Sequence, residues 1–153
     1  MIFSHIHHKN MKSSSAIIKS ALDVLNIEIS GVKLVKRTFD SNFVAAIKEL
    51  SKTKGRVIIT GIGKSGHIAN KIASTMSSTG TAAQFCHSNE MSHGDLGILS
   101  SKDILIIISN SGNSSELKDA ISFSKKNKIK TIGISSNIKS ELMQSVHYPL
   151  LLP

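Results

Sequence analysis

Apolar residues change period several times along the chain, and each change marks an element. From Ser14, the residues Ile18, Leu22, Leu25 and Ile29 recur at three and four, the spacing of one helix face, with Gly31 as a stop. A second helix is expected from Asp40 or Ser41, with Phe43, Ile47 and Leu50 inward, ending before Gly55. Val57-Ile58-Ile59 is then a continuous β-branched run, as in a strand buried on both faces. Gly61, Gly63 and Gly66 punctuate a tight turn. After it Ile68, Ile72 and Met76 fall at i, i+4 and i+8, with Ala69 and Ala73 beside them. Gly80 suits the C-terminal cap of that helix.

Ala82 to Cys86 reads as a short strand and His87 to Gly97 as a polar loop. Asp103 leads into Ile104 to Ile108, the clearest buried strand, which ends in the polar run Ser109 to Ser115. A helix follows, with Leu117, Ala120, Ile121 and Ser124 facing the sheet. Thr131 to Ile134 is a fourth strand, Ser140 to Ser145 a short helix, and His147 to Leu152 a fifth strand. Strands alternating with helices imply an α/β fold with a parallel sheet covered on both faces. No internal repeat or linker interrupts residues 14–153, and residues 1–13 read as a frayed terminus carrying His5, His7 and His8.

A length of 153 residues suits one domain with a real core. Hydrophobic residues at 40% and charged residues at 19% suit a soluble globular chain. The net charge of +9 raises the question of nucleic acid. Aromatic residues at 4%, scattered lysines and the lack of a nucleic-acid motif argue against it. The charge reads instead as a solvated surface that favours anionic substrates. Cys86 is the single cysteine, so no intramolecular disulfide forms, which fits a reducing, cytoplasmic compartment. No run approaches a membrane span, and the first ten residues lack the apolar core of a signal peptide.

In open α/β sheets ligands sit outside the carboxyl ends of the strands, and three such ends here are loaded. The first carries Lys64 and Ser65; the second His87, Glu90, His93 and Asp95; the third Ser109, Ser111, Ser114 and Glu116. Gly61 to Gly66 also reads as G-x-G-x-x-G, but the acidic residue that a dinucleotide needs about 20 positions on is missing. A P-loop would need glycine at position 58, which is Ile58. Hydroxyls and free amides at helix N-termini suit a phosphate. Each loop also has a plain structural reading: Ser109 to Ser115 as a helix cap, Asn113 and Glu116 as a capping box, His93 as a satisfied loop histidine.

The stretches GIGKSGHIANKIASTMSSTGT and HSNEMSHGDLGILSSKDILIIISNSGNSSEL closely resemble the sugar isomerase (SIS) domain of bacterial arabinose-5-phosphate isomerases, from about Ser15 onward. The resemblance implies a flavodoxin-like three-layer αβα sandwich with a five-stranded parallel sheet. It also implies a homo-oligomer, dimer or tetramer, with sites near subunit interfaces. The implied reaction interconverts ribulose 5-phosphate and arabinose 5-phosphate, on the route to the Kdo sugar of lipopolysaccharide, without a cofactor. By resemblance Lys64 and Glu116 are catalytic. His87 and His93 contact substrate, Gly80 and Thr81 form a substrate-contacting turn, and Ser109, Ser111 and Ser114 match the phosphate contacts, with Ser65 beside Lys64. His87 also matches a position where zinc binds as an inhibitory ion. Family members continue past the equivalent of Pro153 with a further helix, an acidic site residue, a late histidine and CBS modules, so an incomplete SIS domain is expected. Ser88-Asn89 stands where the family has Pro-Gly.

Aldose–ketose isomerisation moves a proton between C1 and C2 through an enediol, which needs a base and a stabilised oxyanion. Glu116 and His93 are the acid–base candidates, and Lys64 can hold either phosphate or oxyanion. The alternatives are a non-catalytic sugar-phosphate-binding module and, weakened by the missing ribose carboxylate, a nucleotide-binding domain.

Overall fold

The computed structural model describes residues 13–153, so the three N-terminal histidines lie outside the described residues. The chain forms two compact units, divided after Lys36.

The first unit contributes one described helix, α1 (Ser14–Val35). Its N-cap is Ser13, whose hydroxyl accepts the Ala16 N–H at 3.4 Å. Gly31 does not stop it. An interior glycine costs only about 1 kcal/mol relative to alanine, and the apolar repeat resumes at Val32 and Leu34. None of its residues is buried.

The second unit, Arg37–Pro153, is a five-stranded parallel sheet: β1 (Val57–Gly61), β2 (Ala83–Phe85), β3 (Ile104–Ile108), β4 (Lys130–Ser135) and β5 (Tyr148–Leu151), in the order β2-β1-β3-β4-β5. Its helices are α2 (Ser41–Lys52), α3 (Lys64–Ser78), α4 (Ser88–Ser92), α5 (Leu117–Lys126) and α6 (Glu141–Ser145). Both β1 and β3 are buried at every position, which explains their unbroken apolar runs. Alternation divides their side chains between two cores. Val57, Ile59, Ile104 and Ile106 pack with Ala46 of α2 and Ala69 and Ala73 of α3. Ile58, Leu105 and Ile107 pack with Met91 of α4, Leu117 and Ala120 of α5 and Leu142 of α6. This is the flavodoxin-like three-layer sandwich.

Two local expectations change. In α2 the buried residue is Ala46, and Ile47 is 48% exposed, because the small alanine sets the face that approaches the sheet. The polar stretch after β2 contains a helix, α4, and a 3-10 turn at Asp95–Ile98. Met91, fully buried, anchors α4 into the core. At β5, Leu150 packs against the core, whereas Leu151 and Leu152 are 38% and 40% exposed.

Candidate functional site

The loops that follow β1, β2 and β3 leave the same end of the sheet, since the parallel register sets Gly61 beside Ile108 and Ile59 beside Phe85. The serine loop after β3 is held from beneath. Ser109 donates its N–H to the Ile134 carbonyl at 3.0 Å and accepts the Gly112 N–H on its hydroxyl at 3.1 Å. Gly112 has φ +69, and a Cβ there would run into the Ser140 side chain and lie 3.0 Å from Ser135 Oγ. Only glycine lets the loop fold back so closely. The Asn110 carbonyl accepts the hydroxyls of Ser135 and Ser136 at 2.9 and 3.0 Å. Asn113 does not cap α5: its Oδ1 accepts the Glu141 N–H at 2.9 Å, which ties the loop to α6. Glu116 itself takes the cap position, exposed, and accepts the Ser115 hydroxyl at 3.0 Å.

Ser109, Ser111 and Ser114 line a hollow of about 270 Å³ together with Ser65, Asn110 and Leu117. Ser65 lies in the first turn of α3 and Leu117 opens α5, and neither helix has a side-chain cap at its N-terminus. Gly63, the N-cap of α3, has φ +55, a conformation that suits glycine. A Cβ at Gly66 would sit 2.9 Å from the Gly61 carbonyl oxygen, so this glycine lets α3 start close to the end of β1. The hollow therefore joins four hydroxyls to two helix N-termini without side-chain caps. At α5 the N–H groups of Leu117 and Lys118 already donate to the carbonyls of Ser114 and Ser115 at 3.1 Å, so there it is the helix dipole that favours an anion.

His87 lines a separate hollow of about 170 Å³ with Gly63, Gly66, His67, Asn70 and Phe85. Its Nδ1 accepts the Asn89 N–H at 3.3 Å and so caps α4, which leaves the proton of the neutral ring on Nε2. Behind it, Thr60 and Ser88, both fully buried, share a hydrogen bond of 2.9 Å between their hydroxyls. The Cys86 N–H donates to the Ile59 carbonyl at 3.0 Å. Burial pushes the Cys86 thiol pKa up, and the carboxylates of Asp95 and Glu90 add to that, so it stays a protonated apolar group.

The remaining candidates fall outside both hollows. Lys64, His93 and Glu116 are exposed, and none of them lines either of these two hollows. Gly80, with φ +95, and Thr81 follow α3 and precede β2, whose Ala83 pairs with Val57, the first residue of β1. They lie at the amino end of the sheet, a strand length of roughly 16 Å from the serine loop. Among the described residues, no group of three His, Cys, Asp or Glu is placed to hold a metal ion. Asn110 was available in the run Ser109-Asn110-Ser111-Gly112 as a lining residue. His67 and Asn70 gave no signal beyond their helical spacing, and the Thr60–Ser88 pair joins positions 28 apart.

Over 143 residues the chain is 43% identical to an arabinose 5-phosphate isomerase KdsD of Francisella tularensis, covering 92% of this chain and 44% of the relative. Over 119 residues it is 44% identical to the KdsD of Yersinia pestis, covering 78% of this chain and 36% of the relative. The chain thus spans less than half the length of these two relatives. An Escherichia coli CFT073 protein solved in complex with arabinose 5-phosphate superposes with a TM-score of 0.79 at 34% identity, over 94% of this chain and 76% of that one. A Listeria monocytogenes structure matches in fold with a TM-score of 0.86 at 24% identity, over 94% of this chain and 76% of that one. The profile of the SIS domain matches residues 49–153, and the chain belongs to that family.

Proposed function

We propose that the chain binds a sugar 5-phosphate and carries the SIS part of an isomerase that interconverts D-arabinose 5-phosphate and D-ribulose 5-phosphate through an enediol, a step toward Kdo. The observation that carries the reading is the serine hollow, with four hydroxyls at two helix N-termini without side-chain caps. The KdsD relatives and the E. coli sugar-phosphate complex support the choice of ligand. Phosphate held there fixes one end of the substrate and keeps C1 and C2 in register for proton transfer. Glu116 and His93 are the proposed proton carriers, and Lys64 the proposed electrostatic partner of phosphate or oxyanion. His87 would donate its Nε2–H to a substrate oxygen, and zinc at that nitrogen would displace the proton and compete. Gly80 and Thr81, at the far end of the sheet, would contribute from a second copy in a homo-oligomer.

A non-catalytic sugar-phosphate-binding module is the second reading. The exposure of Lys64, Glu116 and His93 outside the serine hollow favours it.

Calorimetry with arabinose 5-phosphate, ribulose 5-phosphate and NAD tests binding, and a coupled isomerase assay separates enzyme from module. Both sugar phosphates are expected to bind and NAD is not. Ser111→Ala is expected to weaken arabinose 5-phosphate by about 1–3 kcal/mol, the value of a charge-assisted hydrogen bond. Unchanged affinity in a folded Ser111→Ala variant would remove the serine loop from the site.

A further inference from the structure

The opposite end of the sheet holds a further hollow, of about 230 Å³, between the end of α2 and the starts of β3 and β4. Its walls include Lys52, Lys54, Lys102 and Lys130. These lysines come from three segments of the chain, the end of α2 with the residues just after it, the approach to β3 and the start of β4, and all four residues are exposed. None forms an ion pair among the described residues, where the salt bridges are Arg56–Asp103 and Lys118–Glu141.

Two carboxylates also reach this hollow: Asp103 is paired with an arginine, whereas Glu49 meets a neutral hydroxyl and sets one carboxylate against the lysines. Glu49 accepts the Tyr148 hydroxyl at 3.2 Å. Asp103 is 4% exposed. Burial alone would raise its pKa, but it accepts the N–H groups of Arg56 and Ser100 at 2.7 and 2.8 Å and pairs with the Arg56 guanidinium at 3.5 Å, and its carboxyl is held below the ordinary carboxylate range. Lys52 has a structural role, since a cation in the last turn of α2 complements the helix dipole. Lys54, Lys102 and Lys130 lie in no helix and have no such role.

Like charges gathered around one concavity repel one another, and a mobile anion relieves that repulsion. We infer that this hollow is a second anion site, distinct from the serine cradle, that takes a compact oligophosphate. Four lysines set against Glu49 leave more positive charge than one phosphate uses. Lysine recognises phosphate as a point charge rather than through a fixed fork, so the site selects for charge number more than for shape. The hollow lies where helices end rather than begin, so binding there depends on side-chain charge and falls steeply with salt.

Calorimetry of the 153-residue chain with tripolyphosphate, and with inorganic phosphate for comparison, tests the site. Tripolyphosphate is expected to bind more tightly than phosphate and to weaken as salt is raised. The double substitution Lys102→Ala with Lys130→Ala, on exposed side chains, is expected to weaken tripolyphosphate roughly tenfold. Ser111→Ala should leave it unchanged, which separates this site from the proposed sugar-phosphate cradle. The inference is overturned if tripolyphosphate does not bind, if it binds the lysine variant as well as the parent, or if Ser111→Ala abolishes it.

Discussion

Thr60 and Ser88 show how one pair of side chains sets a loop. Thr60 is the penultimate residue of β1 and Ser88 the first of α4, so their bond fastens the histidine loop to the strand that also leads into Lys64 and Ser65. Both hydroxyls are fully buried, and neither can turn to water if its partner is lost. Ser88→Ala should therefore destabilise the chain by about 1–3 kcal/mol, as should Thr60→Val. The double variant should cost clearly less than the sum, because removing both partners strands neither. Urea denaturation of the three variants measures this cycle, and strict additivity would mean that the two hydroxyls do not depend on each other. Such a pair is invisible in the sequence. Each residue alone reads as a strand threonine or a loop serine, and only the fold brings positions 28 apart together.

At the scale of elements, β4 and β5 are joined by the ladder and by a titratable link. His147, just before β5, accepts the Thr131 N–H on Nδ1 at 3.2 Å and meets the Thr131 hydroxyl at 2.9 Å. Burial lowers its pKa, Lys130 lowers it further, and Glu49 opposes them only in part. The folded state thus prefers neutral imidazole. The unfolded chain, with histidine near about 6.5, binds the proton more readily. This contribution to stability is present above the unfolded value and is lost as pH falls through the lower folded value, where Nδ1 becomes a donor and the Thr131 amide loses its acceptor. The urea midpoint should fall on acidification from about pH 7 to about pH 5, the range in which an ordinary histidine titrates, and His147→Gln should flatten that slope. An equal slope in both proteins would assign it to other groups. Periodicity located all five strands and the large helices, because continuous apolar runs and 3.6-residue repeats survive any tertiary context. It missed α4, whose five residues hold one apolar anchor, Met91, and whose cap is a histidine side chain rather than a usual capping residue. It also offered Asn113 as a cap for α5, since spacing alone cannot reveal that its oxygen faces Glu141.

At the scale of the whole molecule, the serine loop was legible because Ser109, Ser111 and Ser114 are close in sequence, whereas the placement of Gly80 and Thr81 was not. Their distance from the serine loop follows from the direction in which α3 runs along the sheet, which spacing does not encode. The same limit applies to α1. Its repeat of Ile18, Leu22, Leu25 and Ile29 reads as a core-facing stripe, yet these residues are 60%, 54%, 54% and 42% exposed. Ile17, Val24, Ile27, Val32 and Leu34 are also exposed, at 42–70%. An apolar stripe of this length calls for a covering surface, and full burial of one such side chain is worth about 1.5–3 kcal/mol. A second copy supplies an identical stripe, which helix-to-helix packing can satisfy symmetrically. The chain is therefore expected to be a homo-oligomer that associates through α1. Light scattering coupled to size exclusion should give a mass of at least two chains. Leu22→Asp with Leu25→Asp should shift it toward one chain, since two carboxylates on the stripe cannot be buried unpaired. Sugar-phosphate affinity should fall in parallel if the second copy contributes to the site. A monodisperse monomer of the parent chain, or a double variant that keeps the parent's mass, would show that α1 does not carry the association.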